Sequence, residues 1–269
     1  MSEPKLWRDN SKTTPENKKD DDKESIPATR FLDGLSYIGN DEAGCFVLET
    51  TEGIVIFDAI NDTERYLDLI KEGFDELDID VMDTKIILLM HASEESLRRA
   101  ASLRKLTKAR ILMANADYDF LKWKNTIPRP DEYVEDEEVI RIGDYEIRCF
   151  IMSTNPSGTL SFVFNVYDNG KRHMASLWSG SREAESVEDC DQQVKEAIRF
   201  SLTNDKYDVD VVLHEHLFEI NGKEKLQIVR NVFSDGVSNP FVIGREACQQ
   251  FEKHLISKAI SYREKMLNA

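Results

Sequence analysis

Two runs with unbroken apolar centres, TKIILLM at 84–90 (IILLM) and ARILMAN at 109–115 (ILMA), constrain this chain most. A strand apolar on both faces has to be covered on both faces. Each run is followed by a helical pattern. HASEESLRRAASLRKLT (91–107) spaces Leu97, Ala100, Leu103 and Leu106 along one side, with Ser93 placed to cap it, and ADYDFLKWK (116–124) follows the second run. Helices can cover one face of such a sheet. The other face needs a second apolar layer.

The rest of the chain supplies it as short β-rich runs between turn residues: LSYIG, GCFVLETT and GIVIFDA before the apolar runs, and EVIRIG, YEIRCFIM, TLSFVFNVYD and KRHMASLW after them. Glu52-Gly53 and Asp168-Asn169-Gly170 read as hairpin turns. DTERYLDLIKEGFDELD, capped by Asn61 or Asp62, reads as a helix, as do VEDCDQQVKEAIRFSLTN and the long terminal REACQQFEKHLISKAISYREKML. DVDVVLHEH reads as a late strand, and the proline-containing NTIPRPDEYVEDEE (125–138) as an acidic loop. The order predicts an α/β (α+β) domain of two sheets packed face to face with helices outside, a four-layer αββα sandwich over residues 30–269.

Residues 1–29 are expected to form a mobile charged arm, because only Leu6 and Trp7 are bulky and apolar before Ile26. Residues 1–30 hold seven basic and seven acidic side chains, so the body carries the net charge of −16. A body that acidic repels phosphate, which argues against nucleic acid and against anionic membranes as partners. No apolar run reaches the length of a membrane span, and the N-terminus lacks the apolar core of a secretory signal, so the expected location is cytoplasmic. Four widely separated cysteines are expected as ordinary thiols.

With its segments placed, the chain resembles the metallo-β-lactamase superfamily, whose fold is an αββα sandwich, and within it the third subclass of class B β-lactamases. LSYIGNDEAGCFVLETTEGIVIFDA resembles the opening strands, with Asp58 at the aspartate of the family's I-D-T-G turn. TKIILLMHASEES stands where the family has a strand followed by H-x-H-x-D-H, and LRKLTKARILMANADYDFL resembles the next helix, strand and helix. EEVIRIGDYEIRCFIMSTNPSGTLSFVFNV resembles the stretch carrying P-G-H-T-x-G, and SNPFVIGREACQQFEKHLISKAI the terminal N-P-F loop and helix. The likeness spans about residues 30–266.

The resemblance implies two zinc ions and a metal-bound hydroxide that attacks a carbonyl or phosphoryl centre. The ligand columns depart from that chemistry. The first motif reads His91, Ser93, Glu95 and Ser96 in place of His, His, Asp and His. A serine hydroxyl is a poor zinc ligand. Asn155 stands at the next histidine, with Ser157 beside it, and His216, or as the lesser alternative His214, matches the last. One reduced metal set, His91, Glu95 and His216, therefore remains for a single zinc or other divalent cation, with Ser93, Ser96, Ser157 and Asp58 lining the pocket. His173 and His254 fall elsewhere, on a hairpin and on the terminal helix.

The expected function is a metallo-β-lactamase-like protein with a degenerate, metal-free centre, a catalytically altered or inactive hydrolase homologue whose cleft binds a small molecule or a protein partner. A first rival is a hydrolase of a lactone, ester, thioester or amide. In it His91 or Glu95 acts as general base at the reduced set, and Asn155 or Ser157 steadies an oxyanion. A second is an interaction protein using the arm and the acidic loop. A serine nucleophile is disfavoured, since no G-x-S-x-G elbow is present.

Overall fold

The opening hairpins and the two apolar runs build one seven-stranded sheet. Its strands lie side by side in sequence order: β1 (Ile26–Leu32), β2 (Leu35–Gly39), β3 (Gly44–Thr50), β4 (Gly53–Asp58), β5 (Thr84–Leu89), β6 (Arg110–Ala114) and β7 (Glu132–Val134). β1 to β4 pair antiparallel, and β4 to β7 pair parallel. The parallel part needs crossovers, which α1 (Tyr66–Leu77), α2 (Glu94–Thr107) and α3 (Asn115–Leu121) lie in. The computed structural model describes residues 26–40, 43–58, 65–91, 93–121, 127–152, 158–179, 184, 186–231 and 238–268.

The second sheet has five strands in the order β12-β11-β10-β9-β8: β8 (Val139–Ile142), β9 (Tyr145–Met152), β10 (Thr159–Asp168), β11 (Lys171–Trp178) and β12 (Val211–His214). All pairs are antiparallel except β11 with β12. α4 (Val187–Lys206) and α6 (Arg245–Leu267) pack on each other and on its outer face, where Trp178 meets Phe200 at 4.5 Å between ring centroids. α5 (Gly222–Asn231) lies between them in sequence.

Strand alternation divides the apolar residues between two cores. From β5, Ile86 and Leu88 enter the core between the sheets, while Ile87 and Leu89 enter the core under α1 and α2. β6 repeats this with Leu112 and Ala114 on one side and Ile111 and Met113 on the other. Phe57 of β4 is clamped across the gap by Phe162 and Phe164 of β10, both at 5.0 Å. The four-layer αββα order is the one the sequence predicts.

Details differ at three boundaries. β1 starts at Ile26, so the first sheet takes in the last residues of the expected arm; residues 1–25 lie outside the described residues. Thr50 pairs with Gly53, which makes Thr51-Glu52 the turn and puts Gly53 in β4 at a φ of +124°. The Asn169-Gly170 turn stands as expected, with φ values of +51° and +76° suited to a tight hairpin. The acidic loop is docked as well as solvated. Asp136 accepts two bonds from the Arg199 guanidinium of α4, at 2.6 and 2.7 Å, and one from the Ile151 N–H at 2.9 Å. All four cysteines are free and buried.

Candidate functional site

At one end of the sandwich β5 runs out at Leu89, β10 begins at Thr159, and β11 and β12 end side by side at Trp178 and His214. The Leu160 N–H donates to the Met90 carbonyl at 2.9 Å and ties the two sheets together there. Gly158 lets the start of β10 lie tight against α3, since a Cβ on it would stand 2.2 Å from Oδ1 of Asp117. His91, one residue beyond Met90, is thereby set against the second sheet.

His91 is fully engaged. Its Nδ1 lies 3.1 Å from the Thr159 hydroxyl, and its Nε2 lies 3.0 Å from the Ser179 hydroxyl and in a very short contact with the Glu215 carboxylate. The Ser179 hydroxyl also donates to Glu215 at 3.2 Å. Ser179 is in turn held by Ser161, whose hydroxyl donates to the Ser179 carbonyl at 3.1 Å and accepts from its N–H at 3.0 Å. A carboxylate can only accept, so His91 Nε2 carries a hydrogen. Thr159, Ser179 and Glu215 are buried, whereas the His91 side chain keeps 19% of its surface open to solvent.

Burial alone would raise the pKa of Glu215. His91, as charge and as hydrogen-bond partner, and then His216 and His214, outweigh burial and hold the carboxyl below the usual range. His214 shows the opposite balance. Burial lowers its pKa to about 4 against the pull of Glu219, so it is neutral at pH 7. Its Nδ1 accepts from the His216 N–H at 3.0 Å, which puts the ring hydrogen on Nε2. Glu219 lies close by as a carboxylate. Burial raises its pKa, but His214 and Lys258 bring it down, and the Lys258 amine donates to it at 2.6 Å.

The residues expected from the sequence fall in different places. Ser93 and Ser96 form a reciprocal capping box at the start of α2. The Ser96 N–H donates to the Ser93 hydroxyl at 3.0 Å, and the Ser93 N–H to the Ser96 hydroxyl at 2.7 Å. Ser96 also donates to the His91 carbonyl at 3.1 Å, so this pair shapes the backbone that presents His91. Glu95 is exposed in the first turn of α2, and the carboxylate that meets His91 is Glu215 instead. β12 stops at His214, so His214 and His216 do not continue one strand face; the His216 ring stacks on Phe218 at 5.5 Å. Asp58 closes β4 beside Leu89 of β5. Asn155 and Ser157 lie outside the described residues. Trp178 belongs to the core.

Among the described residues no group of three or more His, Cys, Asp or Glu side chains is arranged to hold a metal ion. A zinc ligand needs a free lone pair. One nitrogen of His91 carries a hydrogen aimed at Glu215, the other faces Thr159, and the two serine hydroxyls are spent on the helix cap. The described residues do not fit a two-zinc centre.

Sequence reasoning missed Glu215 and Thr159, and read Ser179 only as part of a loop near the cleft. Glu215 sits between the two histidines of H-E-H, which was the available signal, but its partner is 124 positions away.

Solved structures similar in fold to this chain include subclass B3 metallo-β-lactamases. The enzyme of Bradyrhizobium japonicum is 20% identical, with a TM-score of 0.71 over 91% of this chain and 98% of its own. The native metallo-β-lactamase of Legionella gormanii is 18% identical, with a TM-score of 0.75 over 92% of this chain and 99% of its own. A di-zinc enzyme from an Alaskan soil metagenome is 19% identical, with a TM-score of 0.72 over 95% and 99%. No family model and no curated protein matches the sequence. The shared feature is the fold.

Proposed function

We propose that this metallo-β-lactamase-fold protein has exchanged the two-zinc centre for a metal-free polar cluster, and that its former active-site end binds a small molecule or a protein partner without zinc-dependent hydrolysis. One observation carries this reading: the His91 Nε2 hydrogen is satisfied by the buried Glu215 carboxylate, where a zinc ion would need a lone pair. The cluster is a stable alternative to metal, because each buried hydroxyl in it has an oxygen or nitrogen partner. Partly exposed His91 is the group a bound molecule would meet.

Metal analysis of protein equilibrated with micromolar zinc tests this. The expected result is no stoichiometric zinc. Two zinc ions per chain would overturn the reading, and one lost on His91→Ala would transfer it to a mononuclear site.

A second reading rests on a different feature of the same cluster. A hydroxyl, an imidazole and a carboxylate follow one another through Thr159, His91 and Glu215, with the two ring nitrogens on separate partners. A carboxylate that orients an imidazole is the setting for a general base. This reading expects chelator-resistant hydrolysis of an activated ester or lactone that disappears in His91→Ala. Hydrolysis that survives that change would exclude it.

A further inference from the structure

The outer face of the second sheet is only partly covered by helices. α4 starts near the His91 end and stops at Lys206, leaving the far ends of β9, β10 and β11 open. There a cleft of about 500 Å³ lies against the sheet, within the range of small-molecule sites. Its floor is made by outward-facing residues of three adjacent strands: Glu146 and Arg148 of β9, Asn165 and Tyr167 of β10, and Arg172 and Met174 of β11. Lys206 and Tyr207 at the end of α4 form one wall.

Three observations point to a ligand of one kind. The first is charge. In a chain of net charge −16, this cleft gathers Arg148, Arg172 and Lys206. Arg148 is paired with Glu146 at 2.9 Å, but Arg172 and Lys206 have no carboxylate partner among the described residues. Arg172 has only the Met174 sulfur at 3.4 Å, and Lys206 only the face of Tyr207 at 5.0 Å. The second is the floor. Asn165 is 6% exposed, yet its amide makes only two long contacts, 3.4 Å to the Tyr167 hydroxyl and 3.5 Å from the Glu146 N–H. Both exceed the usual length of such bonds, so donor and acceptor capacity remains at the base of the cleft. The third is shape and polarity. Tyr167 offers flat apolar surface beside the cations, while the Tyr207 ring holds Lys206 at 5.0 Å and Arg148 at 5.2 Å to its centroid. The carboxylates Asp144, Glu146 and Asp208 also line the cleft and set its selectivity, excluding polyanions that would reach them.

We propose that this cleft binds a small oxyanion carried on a flat ring. The oxyanion meets Arg172 and Lys206, and the ring lies by Tyr167, over the Asn165 amide. An arginine fork and an ammonium suit such a group, and a ring contact distinguishes it from a free inorganic anion. The site lies at the opposite end of β10 from Thr159, so it is separate from the His91 cluster.

The test is a titration of the full chain with phenyl phosphate, inorganic phosphate and phenol, followed by calorimetry and by the Asn165 side-chain amide resonances. The expected result is saturable binding of phenyl phosphate at least tenfold tighter than either fragment, a shift of the Asn165 resonances, and a five- to tenfold loss in Arg172→Gln and in Lys206→Gln, as one lost charged contact gives. Ser93→Ala, a helix-cap change at the other end of the sandwich, should bind equally well. Both cleft substitutions are at exposed positions and leave the fold intact. Absence of saturable binding, equal affinity for inorganic phosphate, or binding unchanged in both variants would each overturn the proposal.

Discussion

Lys225 is buried beside Phe241, with its amine 5.5 Å from the ring centroid. Burial lowers its pKa to about 8, and nearby Cys248, whose own pKa burial raises to about 12, opposes this only weakly. The folded pKa is thus below the unfolded value of about 10.4, and the unfolded state binds more protons between the two. Stability should therefore rise with pH through that window. Lys225→Met removes the buried cation and should raise stability at pH 7 by about 1–3 kcal/mol, with the advantage shrinking toward pH ~10; denaturant midpoints at the two pH values check both parts. Glu215 gives the same slope with pH, here from a stabilising contact. The Glu215 pKa is depressed, so its contribution is present above the unfolded value of about 4.3 and fades as pH falls below it. His91→Ala leaves that carboxylate buried without its main partner and should destabilise by about 3–5 kcal/mol. Thermal melts between acid and neutral pH should show the variant's deficit narrowing in acid. Of these residues His91 was legible in advance, by its place at a strand end. Glu215 was not, because hydrogen bonding across 124 positions leaves no local pattern.

At the scale of elements, spacing alone located most helices and strands. Ser93 caps α2 as its sequence implies, and Ser93→Ala should lower stability by about 1 kcal/mol through loss of the cap. Lys108 ends the same helix in the left-handed region at a φ of +66°, and it is exposed. Lys108→Gly should relieve that strain and stabilise by about 0.5–1 kcal/mol. Equilibrium unfolding of the two variants gives a direct comparison, and the same sign in both would refute the cap argument. The docked acidic loop was not legible. A run of acidic residues reads as a solvated face until the partner is known, and Asp136 finds Arg199 from a helix 63 positions away. The serines of the first motif show the same limit. Their spacing fits a ligand column and a capping box equally well, and only the backbone of α2 chooses between them.

For the whole molecule the net charge of −16 should oppose compactness, so the melting temperature should climb as salt is raised from low ionic strength; a flat response would mean that the charges are locally compensated. The described helices include none long and apolar enough to cross a membrane. The layer order was determined by the sequence itself. A strand apolar on both faces has only one stable place, between two coverings, and the turn residues and helical spacings around it leave the αββα sandwich as the arrangement that supplies both. Which donors meet at the open end was decided only by tertiary structure. That end joins the termini of β5, β10, β11 and β12, strands distant in sequence that two cores bring into register. Hydrophobic burial depends on residue type and local period, so it can be read along a chain. A hydrogen-bonded cluster depends on distance and direction to the fraction of an ångström, and those are set only once the sheets have packed.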